Sequence, residues 1–180
     1  MTFWLRFAAV LGAVLASACD DQRIARTAQF HPAGQTALTA TTVDPADLRV
    51  RGEFYIPIYS HIYWGQPNMQ TDLSATLSIR NADPVSPLIL LKVDYYDSVG
   101  SKIREYLDAP AELSRMATVD FMIEREDRAG GSGANFIVEW GARGPIAEPV
   151  LESVMLGQIG NAGISFLSPG RAVKRVGETE

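Results

Sequence analysis

Apolar and polar residues alternate with a period of two in several separate segments of this chain. The clearest run is LSATLSIR at residues 73–80, where every apolar residue is followed by a polar one. Similar alternation occurs at residues 49–59, 118–124 and 135–140. Successive side chains of a β-strand point to opposite faces, so this period indicates strands with one buried face. No long amphipathic helix interrupts the series, which predicts an all-β fold.

Turn signals separate the predicted strands. Asn81-Ala82-Asp83-Pro84 ends one strand, and Asp97-Ser98-Val99-Gly100 joins the apolar run 88–96 to a second strand at 102–107 as a hairpin. Residues 150–156 fit a strand or a short helix, and residues 163–167 fit a last strand. Strands recurring at spacings of roughly ten to fifteen residues predict a single antiparallel β-sandwich of the immunoglobulin-like kind over residues 48–168.

The N-terminus resembles a lipoprotein signal peptide. Arg6 precedes an apolar run at 7–15, and small residues then lead to Cys19, the only cysteine of the sequence. The run is far short of the ~20 residues of a membrane-spanning helix. Leu15-Ala16-Ser17-Ala18-Cys19 is similar to a lipobox, which implies cleavage after Ala18 and palmitate-type acylation of Cys19. The alternative is an ordinary secretory peptide that leaves Cys19 as a free thiol.

The expected mature chain therefore begins with a membrane anchor. Residues 19–47 lack helical and strand periodicity and predict a flexible, lipidated tether, and residues 169–180 predict a polar C-terminal tail that is frayed from Arg171. These features place the protein in the cell envelope, membrane-anchored on the periplasmic face. Asp20 resembles an inner-membrane retention signal, but not every bacterial lineage uses that rule, so inner and outer membrane both stay open.

The charge excludes some partners. The chain has 16 Lys and Arg against 21 Asp and Glu, a net charge of −5. Removing Arg6 with the signal peptide gives 15 − 21 = −6 for the mature chain. This acidity argues against a nucleic-acid partner, which needs a basic patch, and against electrostatic docking on anionic lipid. Attachment to the membrane is expected through the acyl chains on Cys19.

Four sequence blocks together resemble a bacterial family. They are YIPIYS at 55–60, VDYYD at 93–97, GGSGANF at 130–136 and the segment 148–155. In this order they are similar to domain-of-unknown-function family 3124, and the resemblance covers about residues 50–167. It implies one intact domain of an envelope lipoprotein. The family has no assigned activity, so the resemblance implies no catalytic residue.

The sequence does not predict a catalytic centre, a metal site or a cofactor. His31 and His61 are the only histidines, and His31 lies in the predicted tether. Nucleophilic catalysis would rest on His61 alone, without a Gly-x-Ser-x-Gly elbow. Metal sites favour closely spaced His and Cys ligands, and acylated Cys19 would not be available. Carboxylates such as Asp94 and Asp97 lack EF-hand spacing.

The loop Gly130-Gly131-Ser132-Gly133 has two interpretations. It lacks the lysine and the following helix of a phosphate-binding loop. Glycines that supply positive φ before a strand are the simpler explanation. The alternative is a binding loop in which Ser132, Gly133 and the Asn135 amide contact a ligand.

The densest aromatic segment is the stronger candidate for a contact surface. Tyr55, Tyr59, His61 and Tyr63 have odd numbers and are predicted to share one strand face opposite Phe54, with Trp64 beside them. Exposed Tyr and Trp combine apolar area with a polar group, as in many interfaces. The competing interpretation is that another layer covers this face, and Pro57 suggests an edge strand.

These observations favour a non-catalytic binding or protein-interaction module, with Tyr55, Tyr59, Tyr63, Trp64, Ser132, Gly133 and Asn135 as binding candidates. An enzyme acting on envelope glycans is the first alternative, because glycoside hydrolysis needs only two carboxylates, here Glu148 and Glu152. A small-ligand-binding lipoprotein with an apolar pocket between the sheets is the second.

Overall fold

The computed structural model describes residues 37–177 of the 180-residue chain. The predicted signal peptide, Cys19 and most of the predicted tether lie outside the described residues. The described part contains twelve strands and a 3₁₀ turn at Pro45–Asp47. The strands are β1 (Leu38–Ala40), β2 (Val50–Pro57), β3 (His61–Trp64), β4 (Gln66–Arg80), β5 (Leu88–Tyr96), β6 (Lys102–Glu105), β7 (Ala111–Leu113), β8 (Thr118–Ile123), β9 (Asn135–Ala142), β10 (Val150–Ile159), β11 (Ala162–Pro169) and β12 (Arg171–Val176).

The strands form two antiparallel sheets. The seven-stranded sheet has the order β1-β7-β5-β9-β2-β12, with β6 also paired to β5. The five-stranded sheet has the order β11-β10-β4-β3, with β8 also paired to β4. The predicted all-β sandwich is confirmed. Within residues 37–177 no helix is long and apolar enough to cross a membrane.

The core lies between the two sheets and follows the alternation of the sequence. In β4 the residues Leu73, Leu77 and Ile79 are buried, as are Phe136 and Val138 of β9 in the other sheet. Their polar neighbours point away from the core because the side-chain period of a strand is two. The segment that fitted a strand or a helix, at 150–156, is part of β10.

The chain changes sheets between β2 and β3. β2 belongs to the seven-stranded sheet, whereas β3 pairs, within residues 37–177, only with β4 of the five-stranded sheet. β2 lies between β9 and β12, so the edge position suggested by Pro57 is wrong. Pro57 is the last residue of its strand, where a missing N–H costs little.

Both predicted ends of the domain differ from the structure. Residues 171–176 form β12, which pairs with β2 from Val176↔Arg51 to Arg171↔Tyr55, where the sequence predicts a frayed tail. At the other end β1 pairs with β7, so strand structure begins inside the predicted tether. Short polar segments carry a weak sequence signal, and here the edge of an existing sheet supplies their hydrogen-bond partners.

A buried aspartate ties the β4–β5 connection to the loop before β10. Asp83 accepts backbone N–H bonds from Val85 at 2.7 Å, Ser86 at 2.6 Å and Ala147 at 2.8 Å. These bonds, with that of Ser86 the largest contribution, lower the pKa of Asp83 below its ordinary value. The predicted turn at 81–84 is therefore also a long-range anchor.

Candidate functional site

Two hairpins extend past the same end of the five-stranded sheet. β4 and β10 run antiparallel, and their last register pair at this end is Leu73↔Gly157. Beyond that pair, β4 continues back to the turn at Gly65, and β10 continues forward to the turn at Gly160-Asn161. We call the first the β3–β4 hairpin and the second the β10–β11 hairpin. Their tips are not enclosed by the other sheet, which leaves this end available for contacts.

The β3–β4 hairpin presents two large aromatic side chains to solvent. Tyr63 is 53% exposed and Trp64 is 39% exposed. Gly65 has a φ of 73°, which suits glycine at the turn. Tyr63, Trp64, Gly65, Gln66 and Pro67 together line a shallow concave surface. Surface aromatics held on a paired strand offer contact area at a small entropic cost.

The base of this hairpin holds a charged group that fixes its position. Asp72 Oδ2 accepts a bond from Arg128 Nη2 at 2.7 Å. His61 is the cross-strand register partner of Asp72, and its ring meets that of Tyr63 edge-on at 5.4 Å between centroids. His61 Nδ1 and Asp72 Oδ1 are both buried without a hydrogen-bond partner among the described residues. His61 is therefore a direct neighbour of the exposed aromatic pair.

The other two candidate tyrosines lie elsewhere. Tyr55 is on the outer face of the seven-stranded sheet, where its register partners are Ile137 and Arg171. Tyr59 is in the connection between β2 and β3 and meets Phe166 edge-on at 5.7 Å. The predicted common face of Tyr55, Tyr59 and Tyr63 is wrong, because the chain changes sheets between them. Period-two counting does not detect such a change, since it assumes one continuous strand.

Both hairpins come from uncharged stretches of sequence. Residues 54–71 contain no Asp, Glu, Lys or Arg, and neither do residues 153–170, each a stretch of 18 residues in a chain that is 21% charged. The first stretch includes the β3–β4 hairpin except Asp72 at its base, and the second includes almost all of the β10–β11 hairpin. Sequence reasoning identified the aromatic half of this surface and missed the second half, although the absence of charge was visible.

The β10–β11 hairpin carries exposed aliphatic residues on its outer face. Leu156 of β10 is 53% exposed and Leu167 of β11 is 60% exposed. Both lie on the outer face, since Met155 and Phe166 point toward the core. Gly157 has no room for a side chain, because an added Cβ would lie inside contact distance of Leu73 Cδ2. The hairpin is therefore packed at its base and exposed along its outer surface.

The glycine-rich loop is held by hydrogen bonds to two serines. Ser98 Oγ donates to the Gly130 carbonyl at 2.9 Å and accepts from the Gly133 N–H at 2.8 Å. Ser60 Oγ donates to the Gly131 carbonyl at 2.8 Å. Gly131 has a φ of 75°, a conformation that favours glycine, in agreement with the interpretation that the glycines supply positive φ before a strand.

Close packing explains the first glycine of the loop. An added Cβ at Gly130 would lie 2.7 Å from Ala134 Cβ and still closer to the Tyr95 hydroxyl oxygen. Burial raises the pKa of Tyr95 well above its ordinary value. Gly133 lies beside Ser98, with Ser132 preceding it in the loop, while Asn135 begins β9 opposite Pro57. Asn135 therefore shares the outer face of the seven-stranded sheet with Tyr55.

That outer face carries a row of four charged residues across neighbouring strands, in the order Lys92, Glu139, Glu53 and Lys174. Lys92 Nζ lies 2.7 Å from Glu139 Oε1, and Lys174 Nζ lies 3.1 Å from Glu53 Oε2. The hydrogen bond to Glu139 raises the pKa of Lys92. Beside these pairs is an open groove of about 260 Å³, lined by Arg51, Gly52, Glu53, Leu91, Glu139, Trp140, Lys174 and Val176. The charges on this face are largely paired with one another.

The two carboxylates of the glycosidase alternative are each bound by an arginine. Glu148 Oε2 lies 2.9 Å from Arg175 Nη1, and Glu152 Oε1 lies 2.9 Å from Arg80 Nη2. Among the described residues, no three His, Cys, Asp or Glu side chains come together in a way that could hold a metal ion.

Comparison with known proteins shows the family. The family described as "Protein of unknown function (DUF3124)" matches residues 51–173. The chain belongs to this family. The family resemblance inferred from the four sequence blocks is thereby confirmed. No curated protein matches the chain.

One solved structure with a similar outline is entitled "Crystal Structure of Thermotoga maritima 1070". It is 11% identical in sequence, with a TM-score of 0.39, and the match covers 67% of this chain and 92% of that one.

Proposed function

We propose that this DUF3124 protein is a non-catalytic interaction module of the cell envelope that binds a partner protein through the uncharged end of its five-stranded sheet. The observation that carries the proposal is the exposure of Tyr63 and Trp64 at the tip of the β3–β4 hairpin. Tyr and Trp are enriched among residues that dominate binding energies, because they bury a large area with few rotatable bonds.

The position of the aromatics supports a protein partner. Tyr63 and Trp64 lie on a paired hairpin whose base is fixed by the Arg128–Asp72 ion pair. Such a support limits the entropy that is lost on binding. No Asp, Glu, Lys or Arg occurs between residues 54 and 71, so the contact would be apolar and polar rather than ionic. This composition resembles that of the centre of a protein interface, where charged residues are depleted.

The test is a crosslinked pull-down from intact envelopes, read by mass spectrometry. The variant Tyr63→Ala/Trp64→Ala removes the exposed aromatics, while Val85→Ala/Val99→Ala truncates two exposed aliphatic residues elsewhere and serves as the matched control. We expect one dominant partner protein with the unchanged chain and with the control, and its loss with the aromatic variant. Equal recovery with both variants would place the contact surface elsewhere and contradict the proposal.

We also propose that acylated Cys19 anchors the domain to a membrane on its periplasmic side. Support comes from the lipobox-like segment 15–19 and from its place before the described domain. Two or more acyl chains give stable attachment, whereas one gives only marginal binding. Cys19→Ser should abolish labelling by radioactive palmitate and move the protein from the membrane to the soluble fraction. Unchanged labelling and fractionation would rule out this anchor.

A further inference from the structure

The unpaired edge of β11 lacks the features that usually protect a sheet edge. β11 pairs with β10 on one side and, among the described residues, with no strand on the other. Its eight residues, AGISFLSP, include no charge, and its pairing with β10 is regular from Glu152↔Pro169 to Ile159↔Ala162. Natural proteins usually blunt exposed edges with charges, bulges or very short strands.

Other edges of the molecule have this protection. β12 contains Arg171, Lys174 and Arg175, and its register shifts between Ala172 and Lys174. β1 has three residues, and β6 has four, three of them charged. β3 has four residues and a register shift between Tyr63 and Trp64. β11 is longer than these and has neither a charge nor a bulge, which suits it to pairing with another strand.

The turn of the β10–β11 hairpin determines which backbone groups are free. Gly160 and Asn161 form a two-residue loop, and Gly160 has a φ of 58°, as in a type II′ turn. The flanking residues of such a loop, Ile159 and Ala162, form a hydrogen-bonded pair, and the pairs then alternate along the ladder. In β11 the N–H and C=O groups of Gly163, Ser165 and Leu167 therefore point to the open edge.

These three residues are complementary to themselves in antiparallel pairing. A twofold axis at Ser165 places Ser165 opposite Ser165 of a second copy and Leu167 opposite Gly163. All three free residues then lie in hydrogen-bonded pairs, and apolar Ile164 faces Phe166 on the inner side. No like charges are brought together, and the exposed Leu167 packs over a glycine. Pro169, which has no N–H, ends the ladder.

We propose that β11 pairs antiparallel with β11 of a second copy of this chain, about a twofold axis at Ser165, and joins the two five-stranded sheets. The inference does not depend on the proposed envelope partner, because Tyr63 and Trp64 lie on a different hairpin. A short ladder buries less area than a standard interface of roughly 1,600 Å². The dimer is therefore reversible, and its fraction rises with protein concentration.

Sedimentation velocity over a wide concentration range tests the dimer. The full chain carrying Cys19→Ser is used, because this change removes the only cysteine and with it the acylation site. Ser165→Lys puts two like charges opposite each other at the axis, and Val173→Lys adds the same charge to exposed β12. We expect a concentration-dependent dimer for the parent and for Val173→Lys, and loss of the dimer for Ser165→Lys. A parent that stays monomeric, or a Ser165→Lys variant that still dimerises, overturns the proposal.

A disulfide trap covers the case in which Ser165→Lys does not fold. Cα atoms in a hydrogen-bonded antiparallel pair are about 5.5 Å apart, within the range that a disulfide bridges. In the Cys19→Ser chain, Ser165→Cys should oxidise to a covalent dimer, and Val173→Cys should stay largely monomeric. Equal crosslinking at both positions, or none at residue 165, contradicts pairing through β11.

Discussion

The glycine-rich loop at residues 130–133 and the β3–β4 hairpin both have an unusual local composition. The loop is packed against the rest of the domain, whereas the hairpin is exposed to solvent. The loop is tied to Ser60 and Ser98 by three hydrogen bonds of the serine side chains, and Tyr95 packs beneath it. The hairpin projects Tyr63 and Trp64 into solvent. An unusual local composition therefore accompanies close packing in the loop and solvent exposure in the hairpin. The contacts of each segment in the folded structure show which of the two applies.

The largest expected effect comes from the packing beneath the loop. Gly130→Ala places a Cβ inside contact distance of Ala134 and Tyr95, both of them buried. Overpacking of this kind costs about 3 kcal/mol of unfolding free energy, which urea denaturation will measure. Gly144→Ala is the matched control, because nothing lies within 4 Å of its added Cβ. If both variants have the same unfolding free energy, the loop is not packed as described, and the contrast between a packed loop and an exposed hairpin is wrong.

Acid provides a second, smaller test, in which Asp83 is protonated. Residues 61–70 of the β3–β4 hairpin contain no carboxylate that acid could protonate. The pKa of Asp83 is lowered from an ordinary 3.8, so its contribution to stability is complete above that value and is lost as the pH falls through the folded-state pKa. Asp83→Ala should cost about 2 kcal/mol at neutral pH, since charged hydrogen bonds are lost. Thermal melts between pH 2 and pH 7 should show a shallower acid dependence in this variant.

The exposed Asp108 provides the control for Asp83. Asp108→Ala should leave both the neutral stability and its acid dependence near those of the unchanged chain. An acid profile of Asp83→Ala that matches that of the unchanged chain would show that other carboxylates dominate acid unfolding.

A third test removes one serine from the loop. Ser98→Ala loses the bonds to the Gly130 carbonyl and the Gly133 N–H, at a cost of about 1 kcal/mol. Amide hydrogen exchange should rise at residues 130–133 and stay unchanged at residues 61–70. Ser101→Ala in the neighbouring turn serves as the exposed control. Faster exchange in the hairpin instead would mean that the two regions are coupled.

The smallest effect on stability is expected in the hairpin. Tyr63→Ala/Trp64→Ala should change the unfolding free energy by about 0.5 kcal/mol or less, as exposed substitutions usually do. Tyr59→Ala should cost more, because Tyr59 packs against Phe166 and the core. Differential scanning calorimetry of the two variants compares them directly. A large loss for the double variant would make Tyr63 and Trp64 part of the core and remove the main support for the proposed contact surface.

The sequence predicted most of the strands because their burial is local. In residues 73–80 every second side chain enters the core, so the period alone identifies β4. β12 was missed because all six of its residues are exposed and leave no alternation to detect. Of the binding candidates, Tyr63 and Trp64 share the exposed β3–β4 hairpin. Tyr55 does not join them, because the change of sheet after Pro57 depends on partners distant in the sequence.

By itself, the sequence determined the all-β class, the main strands and the family, since alternation and short motifs are encoded in neighbouring residues. Only the tertiary structure decided which strands share a sheet, that the two uncharged hairpins extend past the same end, and that β11 has an open edge. Those properties depend on pairings such as Gly157 with Leu73, separated by more than eighty positions. Every residue type except proline offers the same backbone hydrogen-bonding groups, so the identity of a distant partner leaves little trace in the local sequence.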